Sequence, residues 1–176
     1  MTTAATPVRP ATTADLAALR ALVDLGYRGI AGAPGWTHEG HLFDGPRTNV
    51  ATLAALIADP GQVILVHEAA GVIIACVLVA SGGTGIAYLG LLCVDPRRQA
   101  AGLGRRMIAV AEDAAVRQGA HTMEMTVIDA RSDLIDWYRR HGYVPTGDTR
   151  PLPPGVGTTR LPMALAILSK ALPAPA

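Results

Sequence analysis

The residues best suited to chemistry follow a buried apolar run, in Leu91-Leu92-Cys93-Val94-Asp95-Pro96-Arg97-Arg98-Gln99-Ala100-Ala101-Gly102-Leu103-Gly104-Arg105. A strand ends at Val94, a proline turns the chain, and Gln99 to Gly104 leads into a helix. Gly102 and Gly104 let the backbone approach a ligand closely. The unpaired N–H groups of a helix start point outward, at the positive end of the dipole. With Arg97, Arg98, Arg105 and Arg106 beside it, such a loop suits a pyrophosphate. It lacks GxxxxGK[ST], and Gly102-Leu103-Gly104 continues as Arg105-Arg106-Met107, which is not GxGxxG. P-loop nucleotides and Rossmann dinucleotides are therefore excluded. The plainer reading is a glycine-softened helix entry under a solvated basic surface.

A second candidate lies between residues 30 and 48, an aperiodic stretch too long for an ordinary connection and typical of a functional loop. It holds Trp36, His38, Glu39, His41, Phe43, Asp44 and Arg47. These could grip a small polar amine, with Arg47 on a carboxylate. Alternatively, Trp36 and Phe43 anchor the loop and Asp44 pairs locally with Arg47. His38, His41 and Asp44 could form a metal site, but glycines and the lack of a helical pattern argue against it, and no metal is expected.

The elements that must position these residues follow from periodicity and turn chemistry. Leu16, Leu19, Leu22, Val23, Tyr27 and Ile30 form one helical stripe after a short extended piece at 7–11, with a second helix at about 49–58. Three β-rich apolar runs at 62–67, 72–80 and 86–94, separated by glycine-rich turns, predict an antiparallel meander. A helix at 103–118, a strand at 122–128, a helix at 133–140 capped by Ser132, a strand at 143–149 and a final apolar strand at 161–168 complete the order. A meander followed by strand–helix–strand forces an α/β fold with a mixed, mostly antiparallel sheet of about seven strands and helices on both faces.

Composition bounds the rest. The 176 residues are half hydrophobic and 16% charged, with mean hydropathy +0.31, which excludes a disordered chain. The net charge of +1 creates no basic field for nucleic acid, and no aromatic stacking platform accompanies the arginines. No apolar run reaches the roughly 20 residues a membrane span needs, and the start resembles no signal peptide. Cys76 and Cys93 lie in apolar runs and read as packed, reduced thiols. These features predict one cytoplasmic domain over residues 1–170, with 171–176 as a flexible tail, and leave room for a homodimer through the final strand.

The segment from Val94 to Gly104 resembles the acetyl-CoA loop of the GNAT acyltransferase superfamily, whose pattern is Q/R-x-x-G-x-G/A after V-x-P. Leu134-Ile135-Asp136-Trp137-Tyr138-Arg139-Arg140-His141-Gly142-Tyr143 resembles its second mark, an aromatic–Tyr pair before a Gly–aromatic. The likeness is strong over residues 86–149 and covers the rest in order of elements only. The loop at 36–48 is also similar to one bacterial branch of the superfamily.

That resemblance implies acetyl-CoA as co-substrate. Backbone groups of Leu92, Cys93 and Val94 would pair with the pantetheine amides as an added strand, and an N–H near Val94 would stabilise an oxyanion. Gln99, Ala100, Ala101, Gly102, Leu103, Gly104 and Arg105 would hold the pyrophosphate. Tyr138 corresponds to the family's general acid. Many members carry Asn where this chain has Arg131, which implies a different cofactor contact there. Glu39 is the leading general base, ahead of Glu124, whose strand alternation turns it to solvent. The acceptor site would use Trp36, Glu39 and Arg47. The implied activity is N-acetyl transfer to a primary amine, more in keeping with a small, amino-acid-like metabolite than with a large basic protein. The alternative is a non-catalytic acyl-CoA-binding regulatory module, which shares the loop but needs no acid.

Overall fold

A computed structural model describes residues 8–29, 38–98, 102–152, 158–159 and 162–174. The strands are β1 (Arg9–Pro10), β2 (Phe43–Asp44), β3 (Gln62–Ala69), β4 (Val72–Ser81), β5 (Ile86–Val94), β6 (Thr122–Ile128), β7 (Val144–Arg150), β8 (Thr158–Thr159) and β9 (Leu165–Ala171). The helices are α1 (Leu16–Arg28), α2 (Val50–Ala58), α3 (Leu103–Arg117) and α4 (Ser132–Arg139). Seven strands form one sheet in the order β1-β3-β4-β5-β6-β9-β7. Within it β5 and β6 run parallel, while the other neighbouring pairs are antiparallel. The mixed α/β sheet expected from the element order is what forms.

Period-2 alternation splits the core into two layers. Ala75, Val77 and Val79 of β4 face the α3 stripe of Met107, Ala111 and Ala115. Cys76 and Leu78 face Leu19, Leu22 and Val23 of α1 and Leu53 of α2. A strand buried on both faces must be apolar throughout, which is why β4 carries the chain's longest apolar run. Asn49 caps α2 by accepting the Thr52 N–H at 2.8 Å. The β3–β4 hairpin turns through Ala70 and Gly71, both at positive φ, which matches the right-handed twist of the strands it joins.

Several boundaries differ from the sequence reading. Ser132 is the first residue of α4, and Arg131 stands at its N-cap. The final strand occupies Leu165–Ala171, and Leu172 is buried with its N–H donated to the carbonyl of His121, so core packing runs past residue 170. Strand β9 lies between β6 and β7. Both of its edges are used, so it offers no edge for pairing across a two-fold axis. Strands β2 and β8 form a separate two-stranded ribbon that no periodicity announced.

Among the described aspartates that pair with arginines, three have a lowered pKa. Asp15 meets Arg9 at 2.8 Å, Asp95 meets Arg97 at 2.7 Å, and Asp133 meets Arg131 at 2.9 Å. In each case hydrogen bonding from the guanidinium is the main force holding the carboxyl below its ordinary pKa. The unfolded chain therefore takes up these protons first on acidification. Their stabilisation is present above the unfolded carboxylate range, near 4, and is lost as pH falls below it. Thermal melting is expected to hold steady from pH 7 to 5 and to drop clearly by pH 3; an unchanged midpoint at pH 3 would contradict this.

Candidate active site

The site begins where two strands part. Strands β5 and β6 pair through Ile86–Thr122, Ala87–Met123 and Tyr88–Glu124, and no further. Beyond Tyr88, β5 stays with β4, but through a bulge: Leu78 faces Gly90 and Cys76 faces Cys93. One residue of β4 thus spans two of β5, and Leu91 takes φ 46°. The extra residue bends β5 and flips its alternation. Leu89 lies on the α3 side, Leu91 and Cys93 on the α1 side, and Leu92 and Val94 back on the α3 side. The result is an opening through the sheet, flanked on one side by Leu92, Cys93 and Val94.

Helix α3 starts beside the end of β5. Gly102 precedes it at φ 73°, and a Cβ there would meet nothing within 4 Å. This is an open, left-handed glycine at the positive end of a 15-residue helix, the cradle a pyrophosphate needs. Acetyl-CoA fits these features: a parted strand edge for its amides and a helix start for its phosphates. Gly104 also serves helix packing. A Cβ on it would lie 3.3 Å from the Trp137 ring, so the missing side chain lets α3 pack against α4. Asp95 is buried and holds both the N–H and the guanidinium of Arg97, which stiffens the turn ahead of the cradle. Leu103 is half-buried and Arg105 exposed. Gln99, Ala100 and Ala101 lie outside the described residues, as does Trp36.

A pocket of about 120 Å³ is lined by the polar side chains of Tyr27, Arg28, Glu39, Arg47, Tyr88 and Thr126 together with the apolar ones of Phe43, Val127, Ile128, Leu134, Leu152 and Leu165. In the loop that delivers Glu39, the peptide unit joining His38 to Glu39 is held through both its carbonyl and its N–H. The Glu39 N–H bonds the Tyr27 carbonyl at 2.7 Å. Arg131 donates to the His38 carbonyl at 2.9 Å while gripping Asp133 with two parallel bonds. Arg131, expected on the cofactor, thus ties this loop to α4.

Glu39 is nearly enclosed, 3.5 Å from Arg28 with both side chains 12% exposed. Burial raises its pKa above the ordinary carboxylate range, while Arg47, Arg28 and Arg131 pull it back down. Arg47 lies over the Tyr27 ring at 5.0 Å, and the Tyr27 hydroxyl donates to the Leu92 carbonyl at 3.0 Å. Tyr88 and Thr126 share a hydrogen bond of 2.8 Å across the point where the strands separate. Glu124 instead pairs with Arg150 at 3.5 Å.

Tyr138 sits in the α3-side core, edge-on to Trp137 and Tyr143. Burial pushes its pKa far above the ordinary phenol value, with Tyr88 and Glu39 adding to the effect and Arg131 opposing it. The spacing of Tyr27 with the α1 apolar stripe had marked it as core, and nothing local marked Arg28, Tyr88 or Thr126. They are functional candidates only because the strands part beside them.

Residues 34–143 match the model of the acetyltransferase (GNAT) family, and the chain belongs to that family. It is thereby an acyltransferase. Its structure is similar to the ribosomal-protein-S18-alanine N-acetyltransferase of Escherichia coli (19% identity, 97% of this chain and 95% of that one, TM-score 0.69). It is also similar to the acetyltransferase yncA of Salmonella typhimurium with its cofactor acetyl-CoA (20% identity, 97% and 95%, TM-score 0.69). A third likeness is to the PaiA N-acetyltransferase of Thermoplasma acidophilum in complex with coenzyme A (15% identity, 94% and 98%, TM-score 0.66). At these identities the likeness carries the fold. No curated protein sequence matches the chain. Among the described residues no helix is long and apolar enough to cross a membrane.

Proposed function

We propose that this acyltransferase moves the acetyl group of acetyl-CoA directly to the primary amine of a small, amino-acid-like metabolite. The observation that carries the reading is the opening between β5 and β6, which joins an enclosed carboxylate, Glu39, to the cofactor-facing strand. Acetyl-CoA supplies an activated thioester when bound. Leu92, Cys93 and Val94 offer main-chain groups to its pantetheine arm, and Gly102 with the α3 start receives its pyrophosphate, assisted by Arg105. Glu39 takes the proton that the attacking amine must lose, and Tyr138 supplies one to the departing sulfur. An N–C bond forms, a C–S bond breaks, and both side chains return to their starting states by exchange with water. The strongly raised pKa of Tyr138 keeps the phenol protonated throughout the working range, as an acid requires.

The test couples calorimetric titration of acetyl-CoA with CoA release over a panel of primary amines. Binding followed by acetylation of small amines supports the proposal; binding without turnover on any amine overturns it. In the same assay Tyr138→Phe is expected to lower kcat by about 100-fold or more with KM for acetyl-CoA little changed. A kcat within twofold of wild type would remove Tyr138 from the acid role.

A further inference from the structure

We infer that the acceptor is a free α-amino acid with an apolar side chain, and that Arg47 reads its carboxylate. This rests on the acetyl transfer proposed above and narrows its substrate.

The argument starts from charge. The pocket lining includes two guanidinium groups, Arg28 and Arg47, and one carboxylate, Glu39. Arg28 is committed: it faces Glu39 at 3.5 Å, donates to the Gly45 carbonyl at 2.7 Å and lies over the Phe43 ring at 5.0 Å. Arg47 is not. Its main-chain N–H bonds Asp24 at 3.2 Å, and its guanidinium rests on the Tyr27 ring. Among the described residues no carboxylate comes within ion-pair distance of that guanidinium. A guanidinium seated over an aromatic ring, in a pocket whose lining carries more guanidinium groups than carboxylates, suits a planar anion.

Position narrows the anion further. Arg47 and Glu39 line the same small pocket, and Arg47 favours the ionised form of Glu39. A substrate whose amine delivers its proton to Glu39 must therefore carry its carboxylate a short distance from that amine, as an α-amino acid does. A plain amine would leave Arg47 unanswered. The N-terminal residue of a protein would place a neutral amide there.

The remaining lining is apolar. Phe43, Ile128, Leu152 and Leu165 also line the pocket, and they form one apolar cluster with Leu42 and Met163. A polar side chain would lose its water there without finding partners, at a cost of about 1–3 kcal/mol. The volume of about 120 Å³ lies well below the roughly 300–1,000 Å³ of sites for drug-sized ligands, which fits one small molecule.

The experiment compares leucine, leucinamide, isopentylamine and serine as acceptors, read by CoA release. Leucinamide keeps the amine and side chain of leucine but lacks the negative charge, and its amine sheds its proton more readily. On reactivity alone it would be the better acceptor. The expected result is a kcat/KM for leucine at least tenfold above leucinamide and isopentylamine, and above serine. Arg47→Met is expected to lower the leucine value by ten- to a hundredfold, towards that of leucinamide. Leucinamide or a peptide N-terminus matching leucine with the wild-type enzyme overturns the inference while leaving acetyl transfer intact. Equal losses on leucine and leucinamide in Arg47→Met overturn it too. Binding of acetyl-CoA with no acceptor acetylated overturns both readings together. The wild-type ratio of leucine to leucinamide needs no variant, so a misfolded Arg47→Met does not shield the inference.

Discussion

Gly102→Glu is expected to weaken acetyl-CoA binding by about 100-fold or more while the protein stays folded. Gly102 holds φ 73°, where a side chain costs about 1–2 kcal/mol of backbone strain. That strain weighs on the folded protein with or without ligand, so the loss of affinity comes from the new charge. The new carboxylate would project into the open space beside Gly102, at the helix start where the pyrophosphate is to lie. Like charge then opposes the ligand where dipole and N–H groups had favoured it. The same open space means that the glutamate meets no protein atom, so the substitution is not a core defect. Calorimetry measures the binding and a thermal melt checks the fold. Wild-type affinity in a folded Gly102→Glu protein would take the pyrophosphate away from this helix.

Glu39→Gln is expected to lower kcat by about 100- to 10,000-fold, the usual range for loss of a general base, with little change in acetyl-CoA affinity. The pH dependence adds a sharper criterion. Burial raises the Glu39 pKa, only partly offset by Arg47, Arg28 and Arg131. The carboxylate is the active form, so kcat/KM should fall as pH drops through that raised pKa, above the ordinary carboxylate range of about 4.3. In Glu39→Gln this acidic limb should vanish along with most of the rate. A variant retaining both the rate and the limb would show that the proton leaves by another route. Glu39→Gln also leaves Arg28 without its charge partner, so the acetyl-CoA titration serves as the control for an intact site.

Much of this was legible before any fold was known, and the reason is local. The Val94–Gly104 segment announces itself because a strand end, a proline turn and two glycines lie within a dozen residues, and each has a backbone consequence of its own. Strand β5 and strand β6 fall where alternation and turn residues put them, and Asn49 caps the helix expected near it. Tyr138 carries a signature through its neighbours Trp137 and Tyr143. The element order then leaves few sheets to choose from, since a meander followed by a parallel crossover admits only a mixed one.

Arg131 and Arg47 show where such reasoning stops. Arg131 bonds a carbonyl 93 residues away, and nothing near it in sequence says so. Gly104, placed by the motif on the ligand, also makes room for Trp137 of another helix, which the motif does not announce. Arg47 stands in the sequence as a candidate on a carboxylate, but only the fold shows Tyr27, twenty positions earlier, beneath its guanidinium and Asp24 on its main chain. Local sequence determined the main helices and strands and their order, and it supplied the candidate cofactor loop and acid, since helix period, strand alternation and turn chemistry act over a few residues. Tertiary structure alone decided where β5 leaves β6, which loop residues fill the gap, and which arginine stays uncommitted. Those outcomes depend on sums of weak contacts between segments far apart in the chain, and no short stretch contains them.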